Sequence, residues 1–271
     1  MHKTSKVILQ LLIFTVCVTT PFSIITAQKI KGWKLQWHDE FNYAGLPDSL
    51  KWGYDVGGKG WGNNELEFYT NKRKENARVE QGNLVIEARK EEYEGKDYTS
   101  ARLITKGKGE FLYGRIEMKA KLPKGRGTWP AFWMLSAKEP RVWPDDGEID
   151  IMEHVGYKQG EVTGACHVKR NPTGNDIISK VNTIEVTDAS EAFHIYSLVW
   201  TPEKLEWYVD DKLFHSYDKA DRPSHHWPFH DKFYILLNIA IGGSWGGRQG
   251  VDDSIFPQKY FIDYIRVYSK K

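Results

Sequence analysis

The chain has 271 residues, with 38 lysines and arginines against 36 aspartates and glutamates, a formal charge of +2. A balance this close to neutral gives no electrostatic reason to expect nucleic acid or an anionic membrane as a partner. With only two cysteines, a multi-disulfide scaffold is excluded, and a chain of this length must be held by a large core.

The N-terminal segment reads as an export signal. Lys3 and Lys6 precede the apolar run "VILQLLIFTVCVTT", and "PFSIITAQ" follows, which is the basic, apolar, small-residue order of a secretory leader. Gln10, Thr15 and the threonines at 19 and 20 argue against a membrane span. Cleavage is expected after Ala27, directing the protein to a secreted, periplasmic or cell-surface location. Lipid attachment at Cys17 is the alternative, disfavoured because Thr15 and Val16 are not the small residues such processing prefers. Removing 27 of the 271 residues leaves 244, which fits one all-β domain over 28–271, expected to be monomeric. Its one cysteine, Cys166, then cannot form an intramolecular disulfide and is expected to pack as apolar filler.

Downstream, period-two alternation recurs. In "GRIEMKAKLP" Ile116, Met118, Ala120 and Leu122 take one face, and Arg115, Glu117, Lys119 and Lys121 the other, as in a strand with one wet face. "NLVIEAR", "AFHIYSLVW", "YFIDYIRVYS" and "KLEWYVDDKLFHSY" read alike, with Asp210-Asp211 as a hairpin turn. "FYILLNIAI" is apolar throughout, as expected of a strand covered on both sides. Many strands, glycine-rich turns and no long helical period predict an antiparallel sandwich or jelly roll. The 11 tryptophans suit sugar stacking and a large β core equally.

The chemistry concentrates in "DDGEIDIMEHVG", 145–156. Between Gly147 and Gly156 the residues favour a strand, on which Glu148, Asp150 and Met152 share a face and Glu153 points away. One β-bulge between Asp150 and Glu153 would return Glu153 to the face of the other two acids. Three carboxylates side by side repel, which is costly as structure. It is also what glycoside hydrolysis uses, one carboxylate ionised and one carboxyl kept protonated. Retaining enzymes hold the pair about 5 to 5.5 Å apart. On this reading Glu148 is the nucleophile, Glu153 the general acid and then base, and Asp150 the carboxylate between them. A solvated acidic edge strand or a calcium loop would show the same spacing.

"GEIDIMEHVG" resembles the catalytic strand of glycoside hydrolase family 16 in its bulged Glu-x-Asp-x-x-Glu form. "WHDEFN", "GWGNNELEFYT", "GRIEMKAKLP", "GTWPAFWML", "LLNIAIGGSWGG" and "FIDYIRVY" resemble segments of that family's laminarinase-like endo-β-1,3-glucanases, in the family's order. The resemblance implies an all-β, concanavalin-like jelly roll of two antiparallel sheets with a substrate cleft on the concave face. It also implies a β-glucan polysaccharide as substrate, retention of configuration, no cofactor for catalysis, and the roles given to Glu148, Asp150 and Glu153. The motif strand alone also admits agarases, carrageenases and porphyranases, and "GWGNNELEFYT" tips the balance to β-1,3-glucan. Mixed-linkage β-1,3-1,4-glucan, an agarose-type galactan and a non-catalytic lectin-type module are the alternatives.

Trp129 and Trp133 are four apart and would share a strand face as two sugar platforms. As isolated residues they would read as core; the resemblance places them beside the cleaved bond. It likewise puts Trp61, Asn63 and Glu65 on the donor side of the cleft, and Arg102 facing the cleft. His167 is expected to reach the cleft as a hydrogen-bonding neighbour of the acid/base carboxyl, while Cys166 points the other way. His154 should face the core. Trp245 in "GGSWGG" is expected to be an aromatic wall on the rim. The histidines of "HSYDKADRPSHHWPFH" fit no zinc spacing. The family's structural calcium site maps onto Glu40, the Gly82 carbonyl and Asp263. Asp263 reads independently as a carboxylate on the apolar face of Phe261, Ile265 and Val267, which either a cation or a salt bridge must compensate.

Overall fold

The computed structural model describes residues 30–169, 177–221 and 227–271. The leader at 1–27, the lipidation alternative at Cys17, and His225 and His226 lie outside the described residues.

The first half of the chain forms β1 (Trp33–Asp39), β2 (Gly53–Asp55), β3 (Glu67–Tyr69), β4 (Ala77–Glu80), β5 (Asn83–Tyr93), β6 (Lys96–Ser100), β7 (Arg102–Ile104), β8 (Glu110–Phe111) and β9 (Gly114–Lys121). The second half forms β10 (Thr128–Ser136), β11 (Glu148–His154), β12 (Glu161–Lys169), β13 (Ile177–Glu185), β14 (His194–Trp200), β15 (Lys204–Val209), β16 (Lys212–Asp218), β17 (Phe233–Ile241) and β18 (Gln258–Lys270). Two sheets result. One runs β16-β15-β14-β9-β18-β5-β6-β3, with β1 also on β18 and β4 on β5. The other runs β13-β12-β11-β10-β17-β7-β2, with β8 also on β17. Pairing is antiparallel except between β3 and β6. This is the jelly-roll sandwich that the alternation and turns predict, and no helix among the described residues is long and apolar enough to cross a membrane.

The core lies between the sheets. Ile116, Met118 and Ala120 of β9, Leu198 of β14 and Trp207 of β15 meet Phe132 and Met134 of β10, Ile149, Ile151 and Met152 of β11 and Ile235, Leu237 and Ile239 of β17. All nine residues of β17 are buried. Its odd positions face this core, and Leu236 and Tyr234 join Leu135 in a smaller apolar cluster on the other side. The unbroken apolar run therefore has two coverings. Cys166 is buried in the core as expected. Asp210 and Asp211 turn the β15-β16 hairpin with φ of 48° and 63°, the paired left-handed geometry of a two-residue turn.

Two expectations change. The polar face of β9 is not fully wet, because Glu117 is buried and accepts from Arg115 Nε at 2.9 Å and the Tyr268 hydroxyl at 3.1 Å. Asp263 does not share the apolar face: the β18-β9 register slips between Ile262 and Tyr264, so Asp263 is the extra residue of a bulge. It is turned outward, half-buried, with Lys119 Nζ 2.8 Å from its carboxylate. Ile262 and Ile265 keep the buried positions.

Candidate active site

The β11 strand carries the bulge that its three acids require. Against β10, Trp133 pairs with Asp150 and Phe132 with Met152, leaving Ile151 unmatched. Against β12, Asp150 pairs with Ala165 and Glu153 with Thr163, so Ile151 and Met152 together face Gly164. Both Ile151 and Met152 enter the core, and Glu153 thereby returns to the side of Glu148 and Asp150. All three carboxyl groups line one cavity of about 480 Å³, together with Trp129, Ala131, Trp133 and Leu135 of β10 and Tyr234, Asn238 and Ala240 of β17.

A contact from the opposite sheet holds the bulge. Trp207 of β15 donates its indole N–H to the Asp150 carbonyl at 2.8 Å. A side chain at position 164 would obstruct it, since a Cβ there would lie 2.7 Å from the Trp207 ring and 2.9 Å from that of Phe214. The freed backbone oxygen of a bulged strand is therefore satisfied inside the core.

Burial raises all three acids, because a carboxylate loses hydration in an enclosed site. Asp150 is pushed up to about 7 and Glu148 to about 8, the latter also by the neighbouring Asp150 charge. Glu153 is raised well above the ordinary range, again by burial first and by Asp150 second. Hydrogen bonds differentiate them further. Glu148 accepts from the Trp143 indole at 2.7 Å and Glu153 from the Trp129 indole at 2.9 Å. A carboxylate at Glu148 facing a carboxylic acid at Glu153 would supply the two species an acid-assisted displacement needs, and burial of Glu153 favours its protonated form.

His167 is placed differently from expectation. It pairs across the strand with Glu148, its Nε2 lies 3.1 Å from Asp150 Oδ2 and its Nδ1 is 2.7 Å from the Ser179 hydroxyl. It is a neighbour of Asp150 rather than of the acid/base carboxyl, because the bulge moves Glu153 one position farther along β12. His154 faces the core as predicted, with Nε2 accepting the Gly160 N–H at 3.2 Å, and burial holds its pKa down at about 4.

The remaining cleft residues converge. Arg102 is buried, with Nε 3.1 Å from Asp55 and its guanidinium between the rings of Trp61 and Trp133 at 4.6 and 4.7 Å. Such a doubly stacked cation is no free surface charge. Trp61 also donates to the Gly57 carbonyl at 3.1 Å. Asn63 donates to Glu65 at 3.1 Å, and Glu65 accepts from the Tyr69 hydroxyl at 3.0 Å. Asn238 donates to that hydroxyl at 3.0 Å and accepts from the Trp133 indole at 2.8 Å. Trp245 stands edge-on to Trp129 at 5.3 Å, so it braces that platform and does not line the cavity itself.

Sequence reasoning missed Trp143, Asn238, Tyr69, Asp55 and Trp207. Two had a readable signal: Asn238 is the one polar residue in "FYILLNIAI", and Trp143 stands two residues before the acidic stretch. The others required knowing which strands meet.

The proposed calcium ligands are engaged otherwise. Glu40 is forked by Arg266, with Nε and Nη2 each 2.8 Å from its two oxygens, and His38 stands 3.2 Å away. With Asp263 on Lys119, cations of the chain already compensate both carboxylates, and these residues with Gly82 do not present a free oxygen cage for calcium. Among the described residues the one close group of three metal-type donors is Glu148, Asp150 and His167, within 4.8 Å of one another. Two of them, Glu148 and Asp150, belong to the acidic trio itself.

The comparisons agree with this architecture. The family glycosyl hydrolases family 16 matches residues 64–266. A β-glucanase from Rhodothermus marinus is 50% identical over 252 residues, covering 89% of this chain and 87% of its own. A glucan endo-1,3-β-glucosidase from Cryptopygus antarcticus is 38% identical over 257 residues, covering 88% and 93%. The X-ray structure of the laminarinase from Rhodothermus marinus superposes with a TM-score of 0.83 at 50% identity, covering 88% of this chain and 98% of that one. The chain belongs to glycosyl hydrolases family 16.

Proposed function

We propose that the chain is a retaining endo-β-1,3-glucanase acting on laminarin-like glucans, and that it is exported with residues 1–27 removed. The observation that carries the catalytic reading is the bulge at Ile151, which puts Glu148, Asp150 and Glu153 on the wall of one cavity beside Trp129 and Trp133. The substrate class rests on the relatives, two of them named for β-glucan or β-1,3-glucan cleavage. As a hydrolase of family 16, the enzyme needs no catalytic cofactor.

In the first step the Glu148 carboxylate attacks the anomeric carbon while the Glu153 carboxyl gives its proton to the glycosidic oxygen. The bond to the leaving sugar breaks and an ester to Glu148 forms. Glu153, now a carboxylate, then takes a proton from water as that water attacks the same carbon; the ester breaks and β configuration returns. The Asp150 charge raises the proton affinity of both glutamates, and the Trp129 N–H fixes the acid's orientation. Trp129 and Trp133 offer ring faces to the sugars, and Asn63, Glu65 and Arg102 offer polar contacts along the cavity.

Reducing-sugar release from laminarin, lichenan and agarose tests the assignment: release is expected to be greatest from laminarin, and none from any of the three would refute it. Mass spectrometry of the exported protein is expected to find Gln28 as the first residue; retention of 1–27 would refute cleavage at Ala27.

A further inference from the structure

A second pair of acids, Glu65 on the cleft wall and Glu67 behind it, takes no part in the double displacement. Glu65 and Glu67 are two apart and face the same way, both buried, with Tyr69 continuing the row. Glu67 is fully enclosed. Its Oε2 accepts the Ile241 N–H at 2.6 Å, and Leu66 N–H is bonded to the Ile241 carbonyl at 2.9 Å, so β3 is clamped to the end of β17. Its Oε1 has no hydrogen-bond donor. No lysine or arginine reaches Glu67 among the described residues. The titratable groups around it are Glu65 and Tyr69 on its own side, with Arg102 acting on Tyr69 from β7 while paired to Asp55.

Two neighbouring enclosed carboxyls with no cation between them disfavour double ionisation and so retain a proton. Hydrogen bonds decide which keeps it. Each Glu65 oxygen accepts a side-chain donor, Asn63 on Oε1 and Tyr69 on Oε2. Glu67 has one acceptor contact and one bare oxygen, so charge is less well supported there, and its burial beside Glu65 acts in the same direction.

We propose that Glu67 is a positioning residue for the cleft: it stays protonated at neutral pH and donates through Oε1 to Glu65, presenting Glu65 to the saccharide as a fixed acceptor. The Trp133 indole donates to Asn238, Asn238 to Tyr69 and Tyr69 to Glu65. The Glu67 proton supplies the third donor on Glu65, so it helps fix the far end of a chain that orients the Trp133 platform. Ionisation of Glu67 at alkaline pH would set two charges side by side and loosen that chain. The inference rests on the cleft binding β-glucan.

The test compares Glu67→Gln with Glu67→Met. The amide keeps an acceptor for Ile241 and an N–H for Glu65, whereas methionine fills the volume with no donor. Calorimetric titration of a laminari-oligosaccharide in a Glu148→Gln background removes turnover from the readout. Glu67→Gln should bind within about twofold of its parent at neutral pH, and Glu67→Met roughly tenfold more weakly. The parent should lose affinity at alkaline pH through a step absent with Glu67→Gln. Infrared difference spectra at neutral pH should show a protonated carboxyl band lost on Glu67→Gln, whether or not sugar is bound.

Weakening by Glu67→Gln equal to that by Glu67→Met, an identical alkaline loss in parent and Glu67→Gln, or an unchanged carboxyl band would each overturn the proposal. If Glu67→Met does not fold, the Glu67→Gln profile and spectrum decide. Absence of β-glucan hydrolysis by the unmodified enzyme would instead refute the function, and the infrared result would still report on the proton.

Discussion

The Trp207 indole, rooted in one sheet, donates at 2.8 Å to the backbone carbonyl of Asp150 in the other. This bond ties the catalytic strand's bulge to the core, so the disposition of three carboxylates depends on a tryptophan that never meets substrate. Trp207→Phe should leave that buried carbonyl without a donor and cost about 1–3 kcal/mol. Its kcat should fall while oligosaccharide binding falls less. Calorimetry and steady-state kinetics check this, and an unchanged melting temperature and kcat would remove the bulge support from the account.

Gly164→Ala probes the same place from the neighbouring strand. The added methyl would meet Trp207 at 2.7 Å and Phe214 at 2.9 Å, a clash between ring and backbone that only displacement relieves. About 1–3 kcal/mol of lost stability is expected, together with reduced kcat. Wild-type behaviour in both would show that Trp207 has room to move.

The pH profile of kcat/KM should be bell-shaped, with both limbs above the ordinary carboxylate range, because burial raises both glutamates. An N–H donor stabilises a carboxylate and lowers its pKa, so removing the donor raises it. Trp143→Phe should therefore move the acid limb, Glu148 ionisation, to higher pH. Trp129→Phe should move the alkaline limb, Glu153 ionisation, to higher pH. Asp150→Asn removes a negative charge that raises both, so both limbs should shift to lower pH. Limbs that stay in place, or move the other way, would contradict the assignment of the two glutamates.

How much of this was legible in the sequence follows from the range of each interaction. Alternation is local, so Ile116 to Leu122, the Asp210-Asp211 turn and the β17 run were readable directly. The need for a bulge was readable too, because Glu153 could not otherwise join Glu148. What holds it was not: Trp207 lies 57 residues from Asp150 along the chain. The same limit applies to His167, placed on Asp150 only once β11 and β12 are in register, and to Asp263, whose bulge is set by pairing with β9. Strict alternation put Asp263 inside, and one extra residue put it out.

The salt bridges at the expected calcium positions make a thermal prediction. With Glu40 on Arg266 and Asp263 on Lys119, a chelator should leave the melting temperature unchanged. Arg266→Met should cost about 2 kcal/mol by leaving the Glu40 carboxylate without its fork. A melting temperature that drops with chelator and recovers with calcium would show that the cation displaces these partners.

The central claim is that Glu148 and Glu153 carry out a double displacement. Proton NMR of laminarin hydrolysis, recorded before mutarotation, tests it most directly: the account predicts that the first-formed reducing ends are β. Reducing ends that first appear as α would contradict it.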